Sequence, residues 1–242
     1  MSALQTNNLS RRFGKKTVVR DVSVCVERGE VVGLLGPNGA GKTTTFNMTV
    51  GFLKPHGGNV FLENHDITNL PMYKRARSGI GYLPQESSVF SGLTVSQNLH
   101  IVLDRLSFSK QEKHEIVQQH LKDFRLENLK DQKAASLSGG ERRRTEVARA
   151  LVVNPKFLLL DEPFVGIDPI TAEDLQSIIR NLAKRNIGIL ITDHNVHETL
   201  AITDRAYLLV DGKIVREGTA EDLATDRFVK EKYLGEKFVL QR

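Results

Sequence analysis

Short β-rich runs alternate with helical stretches along most of this chain, the pattern of a largely parallel α/β sheet. Val22, Val24 and Val26 alternate with polar residues, as in a half-buried strand. Val31–Leu35 is a continuous apolar run that ends at a glycine and opens into Gly41–Val50, which reads as a helix. Val60–Leu62, Ile80–Leu83, Phe157–Leu160 and Ile187–Thr192 are further strands, the last two apolar enough to lie centrally with both faces covered. Ala206–Val210, Asp211-Gly212 and Lys213–Arg216 predict a hairpin closed by a primed turn. Between Gln85 and Pro155 the β-runs disappear, and Val117, Leu121 and Phe124 recur at helical spacing, so this segment reads as a helical insertion. Beyond Ala224 comes a basic tail with Phe228, Tyr233, Leu234 and Phe238, either a docked helix or a frayed end.

A length of 242 residues fits one large domain or two small ones. The net charge of +5 suits a phosphate-rich ligand, an anionic membrane face or nucleic acid and separates none of them. No aromatic-spaced basic stripe, zinc-ligand spacing or low-complexity arm is present, so no nucleic-acid partner is expected. Residues 1–10 lack the basic-then-apolar pattern of a signal peptide, and no long uninterrupted apolar window exists. The expectation is a chain that stays in the compartment where it is made. Its one cysteine, Cys25, is expected to be a small buried hydrophobe.

The candidate chemistry begins where the first apolar run stops. Gly36, Pro37, Asn38, Gly39, Ala40, Gly41, Lys42 and Thr43, followed by Thr44, match the phosphate-binding loop pattern in its required place between a strand and a helix. Glycines let backbone N–H groups face phosphates, and the helix N-terminus adds positive potential. Lys42 is expected at the β- and γ-phosphates and the Thr43 hydroxyl on Mg2+. The run Phe157–Leu160 ends in Asp161 and Glu162. Charges after so apolar a run emerge at the strand's C-terminal edge, where open α/β sheets bind ligands. Asp161 is read as the metal carboxylate. Because neighbouring strand residues point to opposite faces, Glu162 is expected to aim elsewhere, at the attacking water.

Leu137-Ser138-Gly139-Gly140-Glu141 precedes a helical stretch, Arg142–Val152. Locally it is a capping box, Ser138 capping and Glu141 reaching back. Two glycines in a first turn cost stability and bare N–H groups at a positive helix end, which makes a second phosphate-binding surface. Arg142, Arg143 and Arg144 follow as a charge run whose role the sequence leaves open.

With these residues in view the chain resembles the ATP-binding cassette (ABC) family along almost its whole length. The phosphate loop, Gln85 after a strand, the LSGGE signature, the strand-end acids and Thr192-Asp193-His194 stand in that family's order. The resemblance implies an α/β cassette with a mostly parallel, RecA-like core, an N-terminal antiparallel β region and an inserted helical subdomain. It divides one domain, 1–242, into a core of residues 1–85 and 156–224, a helical part of 86–155 and a C-terminal extension of 225–242. It implies a homodimer in which Ser138, Gly139 and Gly140 act in trans on the partner's ATP. It makes Gln85 the magnesium and water sensor, His194 the γ-phosphate contact and Asp168 part of a dimer-crossing loop. Phe13 would stack on adenine or belong to the core.

One cassette without sustained heptads suggests a transporter subunit on the cytoplasmic face of a bacterial inner membrane. Two membrane permease subunits would touch it near Gln85–Leu93. Phe90 is either at that contact or in the core, and Ser91-Gly92 departs from the more basic pair expected there. Leu34–Met48, Gly79–Glu86, Ser136–Arg144, Asn154–Pro169, Ile191–Leu200 and the tail Tyr233–Phe238 resemble the lipopolysaccharide-export branch. Branched-chain amino acid importers, or a non-transport ABC ATPase module, are the alternatives.

Overall fold

The computed structural model describes residues 2–104, 106–194, 196–235, 238 and 240, the side chains of His197 and Lys232 excepted. Asn195, Glu236 and Lys237, which belong to stretches compared above, lie outside the described residues.

The chain opens with β1 (Ala3–Phe13) and β2 (Lys16–Glu27). β3 (Val31–Leu35) leads into α1 (Lys42–Val50), and β4 (Gly57–Leu62) and β5 (His65–Asp66) follow. Next come α2 (Met72–Arg77) and β6 (Ile80–Leu83). The inserted segment carries α3 (Val95–Leu103), α4 (Lys110–Asp123) and α5 (Gly139–Leu151). The α/β alternation returns with β7 (Phe157–Asp161), α6 (Pro169–Lys184), β8 (Gly188–Thr192) and α7 (Val196–Leu200). β9 (Arg205–Val210), β10 (Lys213–Thr219), α8 (Ala220–Thr225) and α9 (Arg227–Val229) complete the order, with a π-turn over Lys230–Leu234.

Two sheets result among the described residues. One is antiparallel, ordered β2-β1-β4-β5, and the other is ordered β10-β9-β3-β8-β7-β6. In the second, β9, β3, β8, β7 and β6 pair in parallel and β10 is antiparallel. Every residue of β3, β7 and β8 is buried, as two covered faces require. Side chains alternate between two cores: Leu158 and Leu160 face one, Phe157 and Leu159 the other. The first core also holds Val95, Leu99, Val117, Leu121 and Val147, so the helical insertion shares its apolar interior with the sheet. The β9–β10 turn has φ of 48° at Asp211 and 78° at Gly212, the positive pair a primed turn needs.

The tail is docked. Val229 and Phe238 are buried with Leu35, Leu200, Leu208 and Leu223 in a third apolar cluster. Cys25 departs from expectation: it is half-buried on β2, and Gln5 Nε2 donates to its Sγ at 3.5 Å. β2 stands at the edge of its sheet, so its outward positions stay partly open.

Candidate nucleotide site

The 36–41 loop joins β3 to α1 at the C-terminal edge of the parallel sheet. Gly36 has φ of +154°, and a Cβ there would lie 2.1 Å from Leu209 O, so no side chain fits. Lys42 folds back into the loop, its Nζ donating to Gly36 O at 2.7 Å and Pro37 O at 3.2 Å. Burial lowers the pKa of its ammonium, opposed by the nearby carboxylates of Glu162, Asp161 and Asp193. Val18, Asn38, Gly39, Ala40, Gly41 and Glu162 are among the residues lining the cavity over the loop.

Asp161 closes β7 and is fully buried. Its Oδ1 accepts from Thr192 Oγ1 at 2.5 Å, and it also takes a hydrogen bond from Thr43. Burial raises its carboxyl above the ordinary carboxylate range, and the charge of Glu162 adds to this. A buried carboxylate beside a threonine hydroxyl is an all-oxygen donor set, the kind a hard divalent cation prefers. No group of three or more His, Cys, Asp and Glu able to hold a metal occurs among the described residues.

Glu162 corrects the strand-alternation argument. β7 ends at Asp161, and Glu162 lies beyond it in the left-handed region, with φ of +46°. This unfavourable conformation, held by a hydrogen bond from Glu162 N to Thr192 O at 2.8 Å, sets where the side chain goes. Its Oε2 accepts from Gln85 Nε2 at 2.9 Å and lies 3.5 Å from His194 Nδ1. His194 Nδ1 is also 3.5 Å from Asp193 Oδ1, and its side chain is 55% exposed, open to a ligand. Lys42, Thr43, Gln85, Asp161, Glu162 and His194 thus converge although they span most of the sequence.

The signature forms as expected at the start of α5. Ser138 Oγ accepts from Glu141 N at 3.3 Å, and Glu141 Oε2 accepts from Ser138 N at 2.8 Å. Ser138 and Gly139 are exposed and are not among the residues lining the cavity over the chain's own phosphate loop. Gly140 has a packing reason to be glycine as well: a Cβ would approach Thr171 Oγ1 to 2.7 Å. Asp168 caps α6, its Oδ1 and Oδ2 accepting from Thr171 N and Oγ1 at 3.0 and 2.6 Å.

Phe13 is not a core residue. It ends β1 as a residue 46% exposed, with the Arg11 guanidinium 5.0 Å from its ring centroid, while Val18 rather than Phe13 lines the loop cavity. Phe90 is likewise not in the core, being 48% exposed with Arg149 5.3 Å from its ring. The arginine run is not one solvated face, because Arg143 is buried and donates to Pro84 O at 3.2 Å and to Glu146 Oε2 at 3.0 Å. Tyr233 is an addition that sequence reasoning missed. Its hydroxyl accepts from Gly36 N at 2.9 Å and donates to Gly36 O at 3.1 Å, holding the first residue of the loop from the tail. Burial pushes its phenol up to about 12, so it remains a donor at neutral pH. The only available signal was an aromatic in a tail whose docking the sequence left undecided.

The ABC transporter family profile matches residues 19–165. The lipopolysaccharide export system ATP-binding protein LptB of Acidithiobacillus ferridurans is 54% identical over 97% of this chain and 98% of its own length. The protein of the same name from Haemophilus influenzae is 50% identical over 99% and 100%. Among solved structures, the ADP conformation of MJ1267, an ATP-binding cassette of an ABC transporter, matches with a TM-score of 0.87 and 33% identity, covering 98% of this chain and all of that one. A dimeric post-hydrolysis state of the cassette MJ0796 bound to ADP and phosphate matches with a TM-score of 0.80 and 26% identity, covering 90% of this chain and 98% of that one. A loop built to cradle phosphates, two acids at the end of β7 and a signature helix, matched over nearly the full length of such cassettes, place this chain in the ABC transporter family, among its ATP-hydrolysing subunits.

Proposed function

We propose that this chain powers the extraction of lipopolysaccharide from the inner membrane for transport to the outer membrane. It acts as a homodimer on the cytoplasmic face, bound to two membrane permease subunits. The observation that carries this is the 54% identity to an export ATPase over 98% of that protein's length. In this reading residues 1–242 form one cassette: a core of 1–85 and 156–224, a helical part of 86–155 and an extension of 225–242. No described helix is long and apolar enough to cross a membrane.

ATP is the substrate. Residues Gly36 to Thr44 cradle its phosphates, and Lys42 leaves the carbonyls of Gly36 and Pro37 for the β- and γ-phosphates. Phe13 offers a ring face to adenine, with Arg11 moving aside. Thr43, Asp161 and Gln85 are the residues that would hold Mg2+, which when bound supplies charge neutralisation at the phosphates. Glu162 orients and deprotonates the water that attacks the γ-phosphorus, ADP leaves, and His194 stabilises charge on the γ-phosphate oxygens. Ser138, Gly139 and Gly140 complete the site of the partner subunit, their N–H groups facing its ATP.

The membrane partner docks near Gln85–Leu93, beside the apolar groove that Met72, Tyr82, Val102, Leu106, Ala150 and Val153 line together with Arg77 and Arg149. This groove adjoins Phe90 through Arg149 and borders the segment that carries Gln85. The occupant that suits this groove is a short amphipathic cytoplasmic helix of the permease, apolar on the face toward the groove and acidic where it meets Arg77 and Arg149.

The test is functional. The chain, purified from detergent-solubilised membranes, is expected to bring two permease subunits with it. In proteoliposomes loaded with lipopolysaccharide the complex should release lipid only when ATP is hydrolysed. ATP-driven uptake of branched-chain amino acids instead, or recovery of soluble partners alone, would overturn the proposal.

A second prediction concerns the tail. Tyr233→Phe keeps the ring's packing and removes two hydrogen bonds from Gly36. At about 1 kcal/mol for the lost bonding, KM for ATP should rise roughly fivefold. kcat should hold, because the phenol touches no reacting atom. An unchanged KM would mean that the loop is fixed without the tail.

A further inference from the structure

The segment after β6 carries Gln85 to Glu162, yet it is a loop, and α5 rather than the sheet holds it in place. Three side chains on adjacent turns of α5 make the attachment. Glu146 is 2% exposed, and its Oε1 accepts from Ser88 N at 2.7 Å and from Ser87 Oγ at 2.9 Å. Its Oε2 pairs with Arg143, which donates to Pro84 O. Arg149 Nη1 and Nη2 donate to Ser88 O and Ser88 Oγ, both at 2.6 Å. Polar groups on both sides of Gln85 are therefore bonded to α5, the helix that begins with the signature.

Buried ions are a costly way to hold a loop, since apolar contact would stabilise it as well or better. What the charged cluster adds is direction, because each bond has one geometry that fits. Glu146 is its centre: it bonds both the loop and Arg143, whose Nε and Nη2 are buried without partners. Glu146 and Arg149 also border the apolar groove, so a partner seated there lies against the same cluster.

We propose that Glu146 is a positioning residue for ATP hydrolysis, fixing the 84–88 segment to the signature helix so that Gln85 meets Glu162 in register. α5 and the segment then move as one body. A shift of the signature on the partner's ATP, or of the groove on its membrane partner, is felt at Gln85 in the chain's own site. This rests on Glu162 acting as the base, as set out under the proposed function.

The experiment measures steady-state ATP hydrolysis by the full chain, purified with its membrane subunits, for Glu146→Gln, Gln85→Ala and the double variant. Glu146→Gln keeps the side chain's size and loses its charge. A misplacement of this kind should lower kcat by about ten- to a hundredfold while KM for ATP stays within roughly twofold. In the Gln85→Ala background the same change should have no further effect, since it acts through Gln85. Ser87→Ala removes one neutral donor and should lower kcat in the same direction by about two- to threefold. It decides the matter if Glu146→Gln does not fold: an unchanged kcat would then overturn the proposal. So would a folded Glu146→Gln protein with normal kcat, or losses that simply multiply with Gln85→Ala. Glu162→Gln, measured alongside, separates the two readings. Its failure to stop turnover would remove Glu162 as the base, whereas a silent Glu162→Gln with a fully active Glu146→Gln would remove this inference alone.

Discussion

Glu162→Gln is expected to bind ATP as the native chain does and to lose turnover by about 10²–10⁴-fold, the range typical for a positioned general base. The amide keeps the size of the side chain and one oxygen to accept from Gln85 Nε2, so the site stays assembled. What disappears is the ability to take a proton from water. The Glu162 charge favours the ammonium form of Lys42, but Asp161 and Asp193 act in the same sense and remain, and the loop backbone is untouched, so KM or Kd for ATP should change little. The ATP-bound homodimer should then persist, seen as a dimer by size-exclusion chromatography with ATP and a monomer without it. The backbone adds a second reason for a large effect. Glu162 occupies φ of +46°, a conformation that costs a non-glycine residue energy and that Thr192 O and Thr192 Oγ1 hold in place through its N–H. The carboxylate is thus fixed before any substrate arrives. Turnover by Glu162→Gln within a few-fold of the native rate would assign the base elsewhere.

Arg75→Ala should be strongly destabilising although it lies outside the site. Arg75 is 1% exposed on α2, and its guanidinium answers four backbone carbonyls. Nη1 donates to Met48 O and Thr49 O at 2.8 and 2.7 Å, Nη2 to Thr68 O at 2.7 Å, and Nε to Leu70 O at 2.9 Å. Met48 and Thr49 lie in the last turn of α1, whose carbonyls have no partner within the helix. Arg75 is therefore the cap of the helix that carries the phosphate loop at its other end. Burial pushes its guanidinium down to about 10, which leaves it protonated at neutral pH. Truncation would leave several buried acceptors unpaired and a side-chain-sized void. A loss of about 3–5 kcal/mol follows, or roughly 10 °C in Tm for a chain of this size. Arg75→Lys should recover only part of this, because an ammonium cannot present the planar fork. A thermal melt of Arg75→Ala within about 3 °C of native, equivalent to roughly 1 kcal/mol, would show that water replaces the guanidinium without penalty.

Neither Arg75 nor Tyr233 stands out in the sequence, whereas the phosphate loop does. The loop, the strand-end acids and the signature are legible because their chemistry is local: a strand, a turn of glycines and a helix start lie close together along the chain. The same holds for the Asp211-Gly212 turn and for β7 and β8, whose unbroken apolar runs predict buried parallel strands. β1 is not so plain, since its last four residues, Ser10 to Phe13, are half-buried or exposed, have no apolar alternation and take their conformation from pairing with β2 and β4. The docked tail is similar: Phe238 and Val229 are apolar in the sequence, but only the surface offered by Leu35, Leu200 and Leu208 decides that they bury.

By itself the sequence determined the fold class, the residue types of the nucleotide site and their order, because periodicity and short motifs act over a few residues. Tertiary structure decided which way Glu162 points, that Glu146 holds the loop of Gln85, that Arg75 caps α1 and that Tyr233 meets Gly36. Each of these is a contact between residues far apart along the chain. Its geometry is set by how sheets and helices pack, and no local pattern of polar and apolar positions encodes it.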